Sequence, residues 1–115
     1  MMVSDTISMQ EFQNLAGFYR PKMKDIPILT YLTMSLNGEA GEVAEKVKRI
    51  YRGDDAAQRP EYKEEIIKEL GDVLWNIANI ADVLGVSLGL VARMNLEKME
   101  LRRKTGVLKG SGDNR

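Results

Sequence analysis

The chain contains no cysteine and no histidine in its 115 residues. Without cysteine there is no disulfide, no thiolate metal site and no sulfur nucleophile. Without histidine, the usual zinc sites, imidazole bases and the Glu-x-x-His pairs of di-iron bundles are excluded as well. Acid–base chemistry is left to carboxylates, Lys, Tyr or water activated by a metal ion. Charge of one sign is also missing, since Lys plus Arg and Asp plus Glu each number 17 for a formal net charge of zero. Aromatics are scarce: one Trp, four Tyr and two Phe. Such a balance argues against nucleic acid, which wants a basic stripe and stacking platforms, and against an anionic membrane as partner. No apolar run reaches the length of a membrane span and the N-terminus lacks a signal-peptide pattern, so a cytoplasmic protein is expected.

What is present is an ordinary globular composition, 43% hydrophobic and 30% charged, in a length that suits one domain over residues 1–115. Helical periodicity runs throughout. Ser8 with Glu11 forms a capping-box pattern for a first helix that ends near Tyr19 and turns Met9, Phe12, Leu15 and Ala16 inward. Pro27 opens a second helix reaching Arg52, where Gly53-Asp54-Asp55 stops it. Pro60 suits the first turn of a third, for which Gly85 is the expected C-cap. Ser87 caps a fourth that runs to about Arg103, followed by an irregular Gly-rich tail over 105–115. No strand alternation competes. The expected fold class is all-α, an antiparallel four-helix bundle-like domain.

Two short acidic repeats interrupt the apolar pattern: Glu39-Ala-Gly-Glu42 and Glu69-Leu-Gly-Asp72. Spacing of i,i+3 puts both acids of each pair on one helix face. On the third helix Glu65, Glu69, Asp72, Asn76 and Asn79 form one narrow polar stripe; on the second, Ser35, Glu39, Glu42, Lys46 and Arg49 do the same. Antiparallel packing then sets the carboxylates face to face, lining a cavity. Taken singly, such acids are most often a solvated helix face. Gly38, Gly41 and Gly71 beside them, each costing roughly 1 kcal/mol in mid-helix, suggest instead the close approach of a helix or ligand. Even if Lys46 pairs with Glu42 and Lys68 with Asp72, Glu39 and Glu69 lack a neutralising base. Four clustered carboxylates repel one another unless a cation joins them, and an all-oxygen donor set suits Mg²⁺ or Mn²⁺. On the fourth helix Asn95, Lys98 and Arg102 share a face, with the geometry to meet phosphate oxygens. The closing Gly110-Ser-Gly-Asp-Asn-Arg115 can form a backbone nest for an anion or simply be a frayed end.

Taken as a set, Leu36-Asn-Gly-Glu-Ala-Gly-Glu-Val-Ala-Glu-Lys46, Lys68-Glu-Leu-Gly-Asp-Val-Leu-Trp75 and Asn95-Leu-Glu-Lys-Met-Glu-Leu-Arg102 resemble the core segments of MazG-like nucleoside triphosphate pyrophosphohydrolases, of the all-α NTP pyrophosphatase superfamily. Gly38 departs from the pattern, standing where many members carry a further Glu. The resemblance implies Mg²⁺-dependent hydrolysis of an NTP or dNTP to the monophosphate and pyrophosphate. It assigns Glu39, Glu42, Glu69 and Asp72 to the metal and Asn95, Lys98 and Arg102 to the phosphates. Glu42 or Glu39 is the expected general base, in the absence of histidine. Base recognition is expected around the first helix, Tyr31 and Asn76, whereas Trp75 reads more readily as core. Three alternatives stand beside this: a phosphoribosyl-ATP pyrophosphohydrolase, a non-catalytic helical interaction module, and nucleic-acid binding through the basic C-terminal region. A third helix this apolar calls for cover from a second copy, so a homodimer or homotetramer is expected.

Overall fold

The structure is a computed structural model that describes residues 5–106, and every regular element among them is helical. Helix α1 spans Met9–Phe18, α2 Ile28–Arg52, α3 Tyr62–Val83 and α4 Leu88–Thr105, with a short 3-10 turn at Asp55–Gln58 between α2 and α3.

The caps lie where short polar residues and glycines place them. Ser8 Oγ accepts from the Glu11 N–H at 3.0 Å, and Ser87 Oγ accepts from Leu90 N–H at 3.0 Å. Gly53 ends α2 at φ 82°, a left-handed conformation that costs a residue without Cβ nothing. At the end of α3 the Val86 N–H reaches back to the Ala81 carbonyl at 3.0 Å, while Gly85 takes φ 77°. This closing turn is what aims the chain into α4. Helix α4 runs two residues past the expected end, through Thr105, before Gly106 caps it. The rest of the Gly-rich tail, including Gly110 to Arg115, lies outside the described residues.

Helices α2 and α3 form the main antiparallel pair, with the 3-10 turn tucked against their closed end. Lys46 faces Tyr62, whose hydroxyl donates to the Lys46 carbonyl at 2.8 Å, and Glu39 faces Glu69 and Asp72 further along the seam. Helix α1 lies across α3 and the start of α4, joining Ala16, Ala78 and Leu88 into a small core beneath Phe12, Trp75 and Ile77. Trp75 is thus part of the packing.

The four helices do not close a bundle within one chain. Helix α4 leaves α3 at a bend of 101°, and among the described residues its backbone does not pack on α2. The radius of gyration is 17.2 Å, against about 13 Å for a compact domain of this length. Apolar side chains stay uncovered on both arms, among them Ile67, Leu70 and Leu74 on α3 and Met94 and Leu101 on α4. Met9 and Leu15, expected inside, are each 51% exposed, because the inner face of α1 is centred on Gln13 and Ala16. A Cβ added at Gly38, Gly41 or Gly71 would meet nothing within 4 Å. These glycines do not admit a close neighbour from the same chain, since α2 and α3 meet along other positions. Among the described residues no single helix is long and apolar enough to cross a membrane.

Candidate metal centre

Midway along the α2–α3 seam, Glu39, Glu69 and Asp72 each bring a carboxylate oxygen within 4.8 Å of the others. The i,i+3 step on α3 aims Glu69 and Asp72 at the single turn of α2 that carries Glu39. Glu39 and Glu69 are half-buried, Asp72 exposed. Loss of water raises the Glu39 carboxyl above its ordinary 4.5; repulsion from Asp72, Glu69 and Glu42, and a hydrogen bond with Glu69, push it the same way. The neighbouring cations are occupied elsewhere. Lys46 sits 3.8 Å from Glu65 and Lys68 4.0 Å from Glu64, so neither takes the expected i,i+4 partner in the repeats. Among the described residues no ion pair reaches the three clustered acids.

This arrangement fits a hard divalent ion. An octahedral Mg²⁺ with ligands at about 2.1 Å holds neighbouring oxygens roughly 3–4 Å apart, a small contraction from the separations found. All the donors are carboxylate oxygens, the type that suits Mg²⁺ or Mn²⁺. Glu42 is exposed and outside the group of three. Three residues on from Glu39, it is rotated by about 60° around α2 and leans from the seam toward solvent. It remains close enough to raise the Glu39 carboxyl.

Asn76 follows Asp72 by one turn and is buried at 2% exposure. Its Nδ2 donates to the Asp72 carbonyl at 2.9 Å, while Oδ1 has no hydrogen-bond partner. An unsatisfied buried carbonyl costs about 1–3 kcal/mol, so a donor that met it would gain correspondingly. Tyr31 is 38% exposed near the start of α2, in a shallow pocket with Ile26, Met34 and Ser35.

The α4 residues are placed differently. Asn95 is exposed, Lys98 half-buried and Arg102 buried. With α4 turned by 101°, helix geometry puts this trio on the order of 20 Å from the acids of its own chain. One chain therefore assembles the carboxylates but does not bring the α4 trio to them.

A second polar set was not legible as such. Gln13 is 3% exposed: its Nε2 donates to the Val86 carbonyl at 2.9 Å and the Ala78 carbonyl at 3.4 Å, and its Oε1 accepts from the Leu88 N–H at 2.9 Å. Asn79, which periodicity groups with the acidic stripe, instead binds α1. Its Nδ2 donates to the carbonyls of Trp75 (3.1 Å) and Ala16 (3.4 Å), and its Oδ1 accepts from Arg20 at 3.2 Å. The signal for Gln13 is its position among Met9, Phe12 and Ala16, a polar residue in an otherwise apolar i, i+3, i+4, i+7 stripe.

Residues 29–107 match the family described as the MazG nucleotide pyrophosphohydrolase domain. Gene 37 protein of Mycobacterium phage L5 is 48% identical over 87 residues, covering 76% of each chain. The uncharacterized protein YvdC of Bacillus subtilis (strain 168) is 44% identical over 69 residues, 56% of this chain and 65% of that one. No solved structure matches. The match takes in both acidic repeats, the seam that joins them and all but the first helix, and the chain belongs to the MazG nucleotide pyrophosphohydrolase family.

Proposed function

We propose that the protein hydrolyses a nucleoside or deoxynucleoside triphosphate to the monophosphate and pyrophosphate with Mg²⁺, as a cytoplasmic housecleaning activity on the nucleotide pool. The observation that carries this is the convergence of Glu39, Glu69 and Asp72, which no ion pair among the described residues reaches. Glu39, Glu69 and Asp72 hold the ion, with Glu42 at their edge; Mn²⁺ has the same ligand preference and can substitute. When bound, Mg²⁺ screens phosphate charge, orients the nucleophilic water and lowers its pKa.

The chain's own residues supply the rest. Water attacks phosphorus at the α–β bridge, the P–O bond to pyrophosphate breaks, and the water's proton passes to a carboxylate. Glu42, outside the group of three, is the better placed base, with Glu39 second. Asn76 offers its unpartnered Oδ1 to a substrate donor, and Tyr31 with the first helix frames the base. Asn95, Lys98 and Arg102 hold the phosphates. Because α4 points away from the acids of its own chain, this trio serves a second copy in a homodimer, or in a tetramer built from two. The uncovered apolar faces of α3 and α4 support the same assembly.

The test is pyrophosphate release from the eight common NTPs and dNTPs, dUTP and phosphoribosyl-ATP, with Mg²⁺, Mn²⁺ or EDTA. Metal-dependent release from a nucleoside triphosphate is the expected result, and the ranking of bases then gives the specificity. Release from phosphoribosyl-ATP alone would move the substrate within the superfamily. Silence from a folded oligomer across the panel would leave the helical interaction module.

A further inference from the structure

We infer that Gln13 is a positioning residue for substrate: it sets the corner between α3 and α4 and so decides where the α4 phosphate-holding residues point. The inference rests on the reading that α4 carries those residues. Gln13 stands on α1, yet the hydrogen bonds of its side chain go to α3, the connection and the start of α4. One amide spans three successive parts of it: the Ala78 carbonyl within α3, the Val86 carbonyl in the connection, and the Leu88 N–H that opens α4. Both its donor and its acceptor are used, within a site 3% exposed to water. A buried amide so matched admits one arrangement of its three partners, because any rotation of α4 leaves the Leu88 N–H or the Val86 carbonyl unsatisfied.

The backbone turn closed by Val86 N–H on the Ala81 carbonyl aims the chain, and the Gln13 amide is the side chain that ties this turn and the first residue of α4 to α1. The α3–α4 link is short, from Leu84 to Ser87, and among the described residues the backbone of α2, the natural brace, does not pack on that of α4. Apolar contact at the corner is thin, with Leu88 the sole buried residue near the start of α4, and such packing tolerates sliding where a directional bond does not. Asn95, Lys98 and Arg102 lie about 10–20 Å along the arm, so a tilt of α4 by some 15° moves them by several ångströms. Errors of about 1 Å in a phosphate clamp already weaken its hold. Gln13 touches none of Glu39, Glu69 or Asp72, which are held by the α2–α3 seam.

The test uses the full chain and two readouts. In the cysteine-free protein, Lys68→Cys and Lys104→Cys on exposed turns of α3 and α4 accept spin labels without interference. Diluting labelled into unlabelled chains limits the signal to distances within one chain. Gln13→Met keeps the length and neutrality of the side chain but removes its hydrogen bonds. Gln13→Glu, in case that variant does not fold, keeps the acceptor and loses the donor. Either is expected to shift or broaden the α3–α4 distance, while Gln10→Ala on the exposed face of α1 leaves it unchanged. KM for the triphosphate should rise about tenfold, with kcat and the half-saturating Mg²⁺ concentration within about twofold of the parent. An unchanged distance in the Gln13 variants would overturn the inference. A changed distance with unchanged KM would overturn the positioning role. A parent protein that hydrolyses nothing would instead sink the enzyme reading, and the distance would still decide the corner.

Discussion

Two polar regions of this molecule are built against the same helix, α3, and behave in opposite ways. At the corner, Gln13, Asn79, Arg20 and Asp82 are matched almost atom for atom: the Arg20 guanidinium donates to Asp82 at 2.8 Å and to Asn79 at 3.2 Å, and the two amides are satisfied by backbone. At the seam, Glu39, Glu69 and Asp72 face one another with like charge, and Asn76 beside them keeps an unpartnered oxygen. Buried polar groups that find their partners within the chain specify its shape. Groups brought together against their own repulsion store free energy that a ligand can release. The contrast separates polarity matched within the chain from polarity left unmatched without appeal to residue type, since both sets are built from acids and amides at helical spacing.

The largest effect expected from breaking this contrast is on turnover. Asp72→Asn or Glu39→Gln should lower the rate of pyrophosphate release by roughly 10²–10³-fold, as removal of one charge-stabilising group does elsewhere. The metal-free variants should melt at or above the parent temperature, because each removes a repelling charge. A variant that unfolds, or one that turns over normally, would return the seam to the structural class. Next in size is the stabilisation by the ion itself. At a hundredfold excess over its dissociation constant, Mg²⁺ should stabilise the folded protein by about 2.7 kcal/mol. A thermal melt with Mg²⁺ against EDTA reads this, and the increment should vanish in Asp72→Asn.

The corner should respond the other way. Asn79→Leu removes an amide that serves two carbonyls and a guanidinium, and is expected to cost about 1–3 kcal/mol in denaturant unfolding at fixed protein concentration. Its Mg²⁺ increment should persist, since the seam is intact. A smaller effect follows from proton linkage. Glu39 holds its proton more tightly folded than unfolded, so the folded state binds more protons as pH passes its ordinary 4.5. Without metal, this group's contribution to stability therefore falls as pH rises from 4.5 through its raised folded value. Melting temperature against pH should show that decline in the metal-free parent, and a shallower one in Glu39→Gln. Smallest of all, Lys68→Ala loses only an exposed 4.0 Å contact with Glu64 and should change stability by less than about 0.5 kcal/mol.

Much of the architecture was written locally. Ser8 and Ser87 cap because their hydroxyls reach an N–H three residues on, and Gly53 and Gly85 take the left-handed turns that end α2 and α3. Those interactions span a few residues, so spacing alone reveals them. The acids of the two repeats were legible for the same reason. That Glu39 joins Glu69 and Asp72 while Glu42 turns outward was not, because it depends on the rotation of α2 against α3. Asn79 shows the limit of periodicity: its stripe is real, but its partners are Ala16, sixty-three residues away, and Arg20.

The sequence by itself determined four helices, their ends to within about two residues, and two acid pairs each on one face, since helical propensity, capping and i,i+3 geometry act within a turn or two. Only the tertiary structure decided which three acids meet, which amides serve the fold, and that α4 swings away from the site. Those outcomes depend on how helices pack and on the angle at a four-residue corner held by Gln13, and contacts between residues far apart in the chain leave no periodic trace in it.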